Sequence, residues 1–210
     1  METITNQAKK INSEFFNKSC ENSEGLSWKA CCYIDEFMQD VYYHSIFKNI
    51  NKNFNSLLDV GCGQADLVEF LNRNNAKINY KGIDVSEKMI ESCKSRFPKK
   101  AFQKMSLLEL GEDEKFDVIL AVGTFNIKFS NKEDQMEYLK SNIEKMFNMC
   151  NKSCSFTLLS RHGYEDLQKQ EGLFSYEPWE IIKYCLELTP SVLLDHSSIP
   201  VEFIVTLYKD

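Results

Sequence analysis

The sequence predicts an α/β fold, a mostly parallel seven-stranded sheet with its last strand antiparallel, helices on both faces and a helical segment in front. Three observations carry this. Strand-like and helix-like patterns alternate from Ser56 onward, the signature of βαβ units. The apolar run Leu57–Val60 contains one acid, Asp59, and breaks at Gly61-x-Gly63 before an amphipathic stretch, which reads as a buried strand, a tight turn and a helix N-terminus. The last two strand patterns are separated only by a few residues around Pro200, too few for a parallel crossover, so they must be antiparallel neighbours.

Residues 1–50 read as helical. Ile4, Ala8, Ile11, Phe15 and Phe16 recur at helical spacing, as do Tyr33, Ile34, Phe37, Val41, Ile46 and Phe47. Gly25-Leu26-Ser27 divides the two segments, with Ser27 as the expected cap of the second. This segment is expected to form a cap over a domain spanning 51–210. Within that domain the expected strands are 56–60, 79–84, 101–105, 116–122, 154–160, 191–196 and 201–208. Helices are expected at 65–74, 86–96, 132–149 and 177–187.

Bulk composition narrows the function. The chain has 210 residues, 43% hydrophobic and 12% aromatic, enough for a sizeable core. A net charge of -6 argues against binding a phosphate backbone, so no nucleic-acid partner is expected. No apolar stretch is long enough for a membrane span, and Met1–Lys10 is too polar for a signal-peptide core. A cytoplasmic protein is expected, with its eight cysteines as free thiols.

The turn after the first strand lets backbone approach a nucleotide-like ligand closely. About 20 residues beyond it, Tyr80-Lys81-Gly82-Ile83-Asp84-Val85-Ser86 forms a second short strand ending in an acid, the position for a ribose-binding carboxylate. The glycine pattern lacks the third glycine of a dinucleotide site, and no Gly-Lys-Ser/Thr ending marks a phosphate loop. These residues therefore point to a ribose-bearing cofactor without a cradled pyrophosphate. Asp59 before the turn suits a cofactor with ammonium donors or positive charge there.

Leu57–Leu71 followed by Ile83-Asp84-Val85-Ser86-x-x-Met89 closely resembles the first two motifs of the class I S-adenosylmethionine-dependent methyltransferases, a Rossmann-like family. Phe116-Asp117-Val118-Ile119-Leu120-Ala121 is similar to the fourth motif, and Gly123-Thr124-Phe125-Asn126-Ile127-Lys128 looks like a bacterial small-molecule subgroup. The resemblance covers roughly 56–209 and implies S-adenosylmethionine as cofactor and S-adenosylhomocysteine as product. It implies that Asp59, Gly61, Cys62 and Gly63 hold the methionine end, that Asp84 accepts both ribose hydroxyls, and that Val85, Met89, Leu107 and Val122 pack about the nucleoside. Ser106 stands where the family often has an acid facing the adenine amine. Ala65 replaces a common third glycine, which is tolerable where φ is negative.

Trp28 is a candidate lid residue over the cofactor, or an anchor of the cap. Among the three histidines, His162 and His196 are expected near the carboxyl rim of the sheet and are the candidate general bases. His44 lies on a cap helix among aromatics. Asn126, Lys128 and Arg161 are candidate acceptor-binding groups, with His44 beside them. No metal motif is present: Cys150-x-x-x-Cys154 is not followed by a third cysteine, and no HExxH pattern occurs. The expected reaction is methyl transfer to a small polar metabolite, O-methylation of a sugar or natural-product intermediate. N-methylation of a small amine and a non-catalytic cofactor-binding sensor are the alternatives. The expected state is monomer or homodimer.

Overall fold

The computed structural model describes residues 2–50, 53–163 and 172–209. Seven strands form one sheet in the order β3-β2-β1-β4-β5-β7-β6. They are β1 Ser56–Val60, β2 Asn79–Asp84, β3 Ala101–Lys104, β4 Phe116–Ala121, β5 Cys150–Leu159, β6 Val192–Asp195 and β7 Glu202–Tyr208. β1 through β5 pair in parallel, and β7 inserts antiparallel between β5 and β6.

The connecting helices are α4 Asp66–Arg73, α5 Glu87–Arg96, α6 Lys132–Met149 and α7 Pro178–Leu188. Three of them begin for a local reason. Ser86 and Asn131 accept the N–H of the residue three ahead, and Pro178 opens α7 where its missing N–H costs nothing. The amphipathic helices bury two apolar layers. Leu58, Ile119 and Phe156 pack against Ile143 and Met146 of α6 on one face. Leu57, Val118 and Leu120 pack against Leu67 and Phe70 of α4 on the other.

The N-terminal segment forms three helices, α1 Glu2–Glu21, α2 Ser27–Ala30 and α3 Glu36–Lys48. The expected second helix is thus divided. Cys32 takes a left-handed φ of 64°, which no helix continues through, and Asp35 starts α3 by accepting the Met38 N–H. Ser27 does not cap: it is the first helical residue, and Leu26 before it offers no side-chain acceptor. α1 contacts both α5 and α6 and so spans the carboxyl edge of the sheet. Gln7 Nε2 donates to Phe129 O at 2.9 Å, and the Ser86 hydroxyl donates to Asn17 Oδ1 at 2.8 Å. α3 packs on α4 through Tyr43, Phe47 and Phe70. Among the described residues no helix is long and apolar enough to cross a membrane.

Register explains how the site is assembled. β1 sits between β2 and β4, with Val60 beside Ile83 and Asp59 beside Leu120. The three carboxyl ends therefore converge. β7 runs the other way, so its first residue, Glu202, lies opposite Leu159 at the end of β5 and reaches the same rim.

Candidate active site

A cavity of about 580 Å³ opens along this rim beneath α1 and α3, a volume suited to a small organic ligand. Its floor is the β1 turn. Gly61 and Gly63 both have positive φ, 71° and 52°. At Gly61 a Cβ would stand 2.6 Å from the Thr124 side chain, and at Gly63 one would stand 2.5 Å from Cys31 Sγ. Both turns thus need glycine for conformation and for space. Gly61→Ala is expected to lower stability by about 1–3 kcal/mol, combining left-handed strain with overpacking against Thr124; denaturant unfolding measures it, and an unchanged midpoint would show that Thr124 yields freely. Ala65 at the α4 N-cap also takes a positive φ of 63°. The expectation of a negative φ there is corrected: the turn demands the left-handed conformation and alanine bears the strain.

Asp84 ends β2, 7% exposed. Oδ1 accepts the Ser86 N–H at 2.8 Å and Oδ2 the Gly63 N–H at 3.0 Å. Burial lifts its carboxyl to about 6, with these backbone donors pulling the other way. Asp59 accepts the Tyr80 hydroxyl at 2.7 Å, and burial carries it to about 7. Among the described residues neither carboxylate has a salt-bridge partner within 4.0 Å. Each carboxylate oxygen can accept more than one donor, and both acids line the cavity. The site therefore presents two buried acceptors beside a side-chain-free turn. It fits a ligand that brings hydroxyl and ammonium donors without a phosphate charge.

Residues 57–146 match the family model of the methyltransferase domain. A protein of Mycobacterium tuberculosis named as a methyltransferase is 26% identical over 157 residues, covering 73% of this chain and 93% of the relative. Over this stretch the chain is similar to methyltransferases. Among solved structures, magnesium protoporphyrin IX methyltransferase from Synechocystis PCC 6803 superposes with a TM-score of 0.68 at 15% identity, covering 97% of this chain and 100% of the other. The plantazolicin methyltransferase BpumL gives 0.68 at 15% identity, covering 100% and 98%. At such identities these two establish the fold.

The cavity collects Asp59, Gly61, Cys62, Gly63, Asp84, Val85, Met89, Ser106, Leu107 and Val122. Ser106 also caps a 3-10 turn, its hydroxyl accepting the Leu108 N–H while Glu109 accepts the Ser106 N–H. Asn126 lines the cavity too, but its carboxamide is a staple: Oδ1 accepts the Leu159 N–H at 2.9 Å and Nδ2 donates to Glu202 Oε1 at 3.1 Å.

Other candidates lie elsewhere. Trp28 is half-buried on α2 and outside the lining, which that segment supplies through Cys31, Tyr33 and Ile34. His44 is exposed, its ring edge against Phe70 at 4.9 Å. His162 is exposed, with Nε2 3.1 Å from Glu177 and its ring 5.0 Å from Trp179. Arg161 shares Glu177 at 3.5 Å. Lys128 is exposed, fixed through its N–H to Gly172 O. His196 packs on Phe203 with Nε2 buried and does not line the cavity. Residues 164–171, which follow Arg161 and His162, lie outside the described residues. Among the described residues no cluster of His, Cys, Asp and Glu suits a metal.

Sequence reasoning missed Phe15, Tyr33, Tyr42, Thr124 and Glu202, all on the cavity wall. Glu202 did carry a signal, as the one charge entering an otherwise apolar final strand. An antiparallel strand brings its first residue to the rim, where a parallel strand would bring its last.

Proposed function

We propose that this chain transfers the methyl group of S-adenosylmethionine to a hydroxyl of a small natural-product intermediate with a largely apolar body. The observation that carries this reading is the continuity of one cavity. It runs from the Gly61–Gly63 turn and Asp84, past Val122–Asn126, into a chamber walled by Phe15, Phe16, Met38 and Tyr42. A non-catalytic sensor would have that second chamber filled. A sugar would leave its hydroxyls against aromatic walls with few partners, so the apolar lining favours a more hydrophobic acceptor.

S-adenosylmethionine, when bound, supplies an activated methyl on a positively charged sulfur. The chain's own contribution is placement. Asp84 fixes the ribose, Asp59 and the glycine turn orient the methionine end, and the 1–50 segment closes over the acceptor and excludes water. Holding a nucleophile in line at about 3 Å lowers the barrier chiefly through proximity. Ile34 is 80% exposed and Phe37 73%; with Ile34 on the cavity wall, they form an apolar lip that suits entry of such an acceptor. Eight free thiols accord with a reducing, cytoplasmic setting.

Calorimetric titration tests the cofactor reading. S-adenosylmethionine and S-adenosylhomocysteine are expected to bind at about micromolar levels, near -8 kcal/mol, and NAD not at all. Failure of both would overturn the reading. A panel of hydroxyl and amine acceptors, followed by S-adenosylhomocysteine release, then separates O- from N-methylation.

A further inference from the structure

We propose that Glu202 is the catalytic base of this enzyme, taking the proton of an acceptor hydroxyl as the methyl group arrives. This rests on the methyl-transfer reading above. Glu202 is 6% exposed and lies on the cavity wall. Oε1 is held by Asn126 Nδ2 at 3.1 Å, whereas Oε2 is buried with no hydrogen-bond partner. A buried acceptor atom left unpaired is costly, and a ligand donor is the partner such an atom lacks. The Tyr42 and Thr157 hydroxyls approach the carboxyl without closing a bond of good geometry. Tyr33 also faces it from the cap. Among the described residues no basic side chain pairs with it within the salt-bridge limit of 4.0 Å.

Three elements position the group. β7 begins at Glu202, β5 ends opposite it at Leu159, and Asn126 fastens the two by bonding both. The staple holds one oxygen still and leaves the other unbonded, on a residue of the cavity wall. Burial raises the carboxyl to about 7, which suits a base working near neutrality.

The balance of the step is simple. Glu202 carboxylate receives the hydroxyl proton as the O–CH3 bond forms and the CH3–S bond breaks. The electron pair of the broken bond stays on sulfur, which becomes a neutral thioether. The protonated Glu202 then returns its proton to water on product release. A hydroxyl acceptor fits this better than a protonated amine. An ammonium against Oε2 would stabilise the carboxylate and remove the basicity that burial confers.

The test uses the full chain saturated with S-adenosylhomocysteine and two probes of nearly equal shape, 4-propylphenol and propylbenzene. The phenol is expected to bind about 10- to 100-fold more tightly, the range for a hydrogen bond to a charged group. Glu202→Gln should erase that preference while S-adenosylhomocysteine affinity stays unchanged. With S-adenosylmethionine in place, the wild type should convert 4-propylphenol to its methyl ether in single-turnover samples, with a rate that falls as pH drops below about 7; the Gln variant should lack that limb. Unchanged S-adenosylhomocysteine affinity, with a melting temperature at pH 5 close to that of the wild type, guards against a folding defect in the Gln variant. Equal binding of both probes, a preference that survives Glu202→Gln, binding of neither probe, or binding without ether formation would each overturn the proposal. A preference for 4-propylbenzylamine over the phenol would overturn the hydroxyl assignment. Loss of S-adenosylhomocysteine binding in the wild type would instead overturn the methyl-transfer reading itself.

Discussion

Asp84→Ala is expected to weaken S-adenosylmethionine and S-adenosylhomocysteine binding by about 100-fold or more, from roughly 3–6 kcal/mol for two lost charge-assisted hydrogen bonds. The carboxylate lies at the carboxyl end of β2 and accepts the Gly63 and Ser86 N–H groups. Those donors hold it in place and leave its remaining lone pairs for the cavity. The same bonds create a complication, because alanine also leaves two N–H groups without their acceptor. Asp84→Asn separates the effects: its amide oxygen can keep one backbone bond, but the charge and one acceptor are gone. Both variants should fold, and both should bind weakly. The pH dependence gives a second reading. Burial raises Asp84 to about 6, and ribose hydroxyls need the ionised form as acceptor. Wild-type affinity should therefore fall as pH drops through about 6, and Asp84→Asn should show no such fall. Calorimetry across pH 5 to 8 decides it. Affinity unchanged in Asp84→Ala would mean that the ribose lies elsewhere.

The sheet was legible because its strands are short apolar runs bounded by turns, and the boundaries of β1, β2 and α6 fall where periodicity puts them. β5 begins earlier than the pattern suggests, at Cys150 directly after α6. Asn151, Lys152 and Ser153 are polar, but the strand there pairs with Phe116 and Tyr208, and pairing outweighs side-chain polarity. The division of the cap into α2 and α3 hinges on a left-handed Cys32, which no composition rule signals. The part of the cavity formed by β1, β2 and their turns was legible because it is made by contiguous motifs on adjacent strands. The part walled by the cap and β7 was not. Phe15, Tyr33, Tyr42 and Glu202 come from α1, the α2–α3 turn, α3 and β7, so only the folded chain brings them together. Histidines were favoured as bases from their ordinary pKa. In the folded chain a carboxyl acquires a comparable pKa by burial, while His162 stands at the surface against Glu177 and Trp179.

The unliganded protein is expected to lose stability as pH rises from about 5 to 8, by several kcal/mol in all, the reverse of ordinary acid denaturation. Three buried carboxyls set the sign. Burial raises Asp59 from 3.8 to about 7, Asp84 from 3.8 to about 6 and Glu202 from 4.5 to about 7. A group whose pKa is raised on folding stabilises the fold fully below its unfolded value. That contribution is lost as pH climbs through its folded value, at about 1.4 kcal/mol per pH unit for each group. Asp195 acts in the opposite direction. Burial disfavours its charge, but hydrogen bonds from Ser198, Ser197 and Asn49 outweigh this and hold it well below the usual carboxylate range, so its contribution is lost only in stronger acid. The melting temperature should thus peak near pH 4 to 5, between the two windows. Glu202→Gln and Asp59→Asn should each flatten the decline and raise the melting temperature at pH 8, with little change at pH 5. S-adenosylhomocysteine should stabilise more at pH 8 than at pH 5, because its donors meet carboxylates that are charged only there. Thermal melts across this range measure all three. A wild-type melting temperature that is flat from pH 5 to 8 would show that water or cations already compensate these charges. The predicted slope would instead mean that the folded chain holds the acids of its site at the expense of its own stability, and that ligand donors are what relieve them.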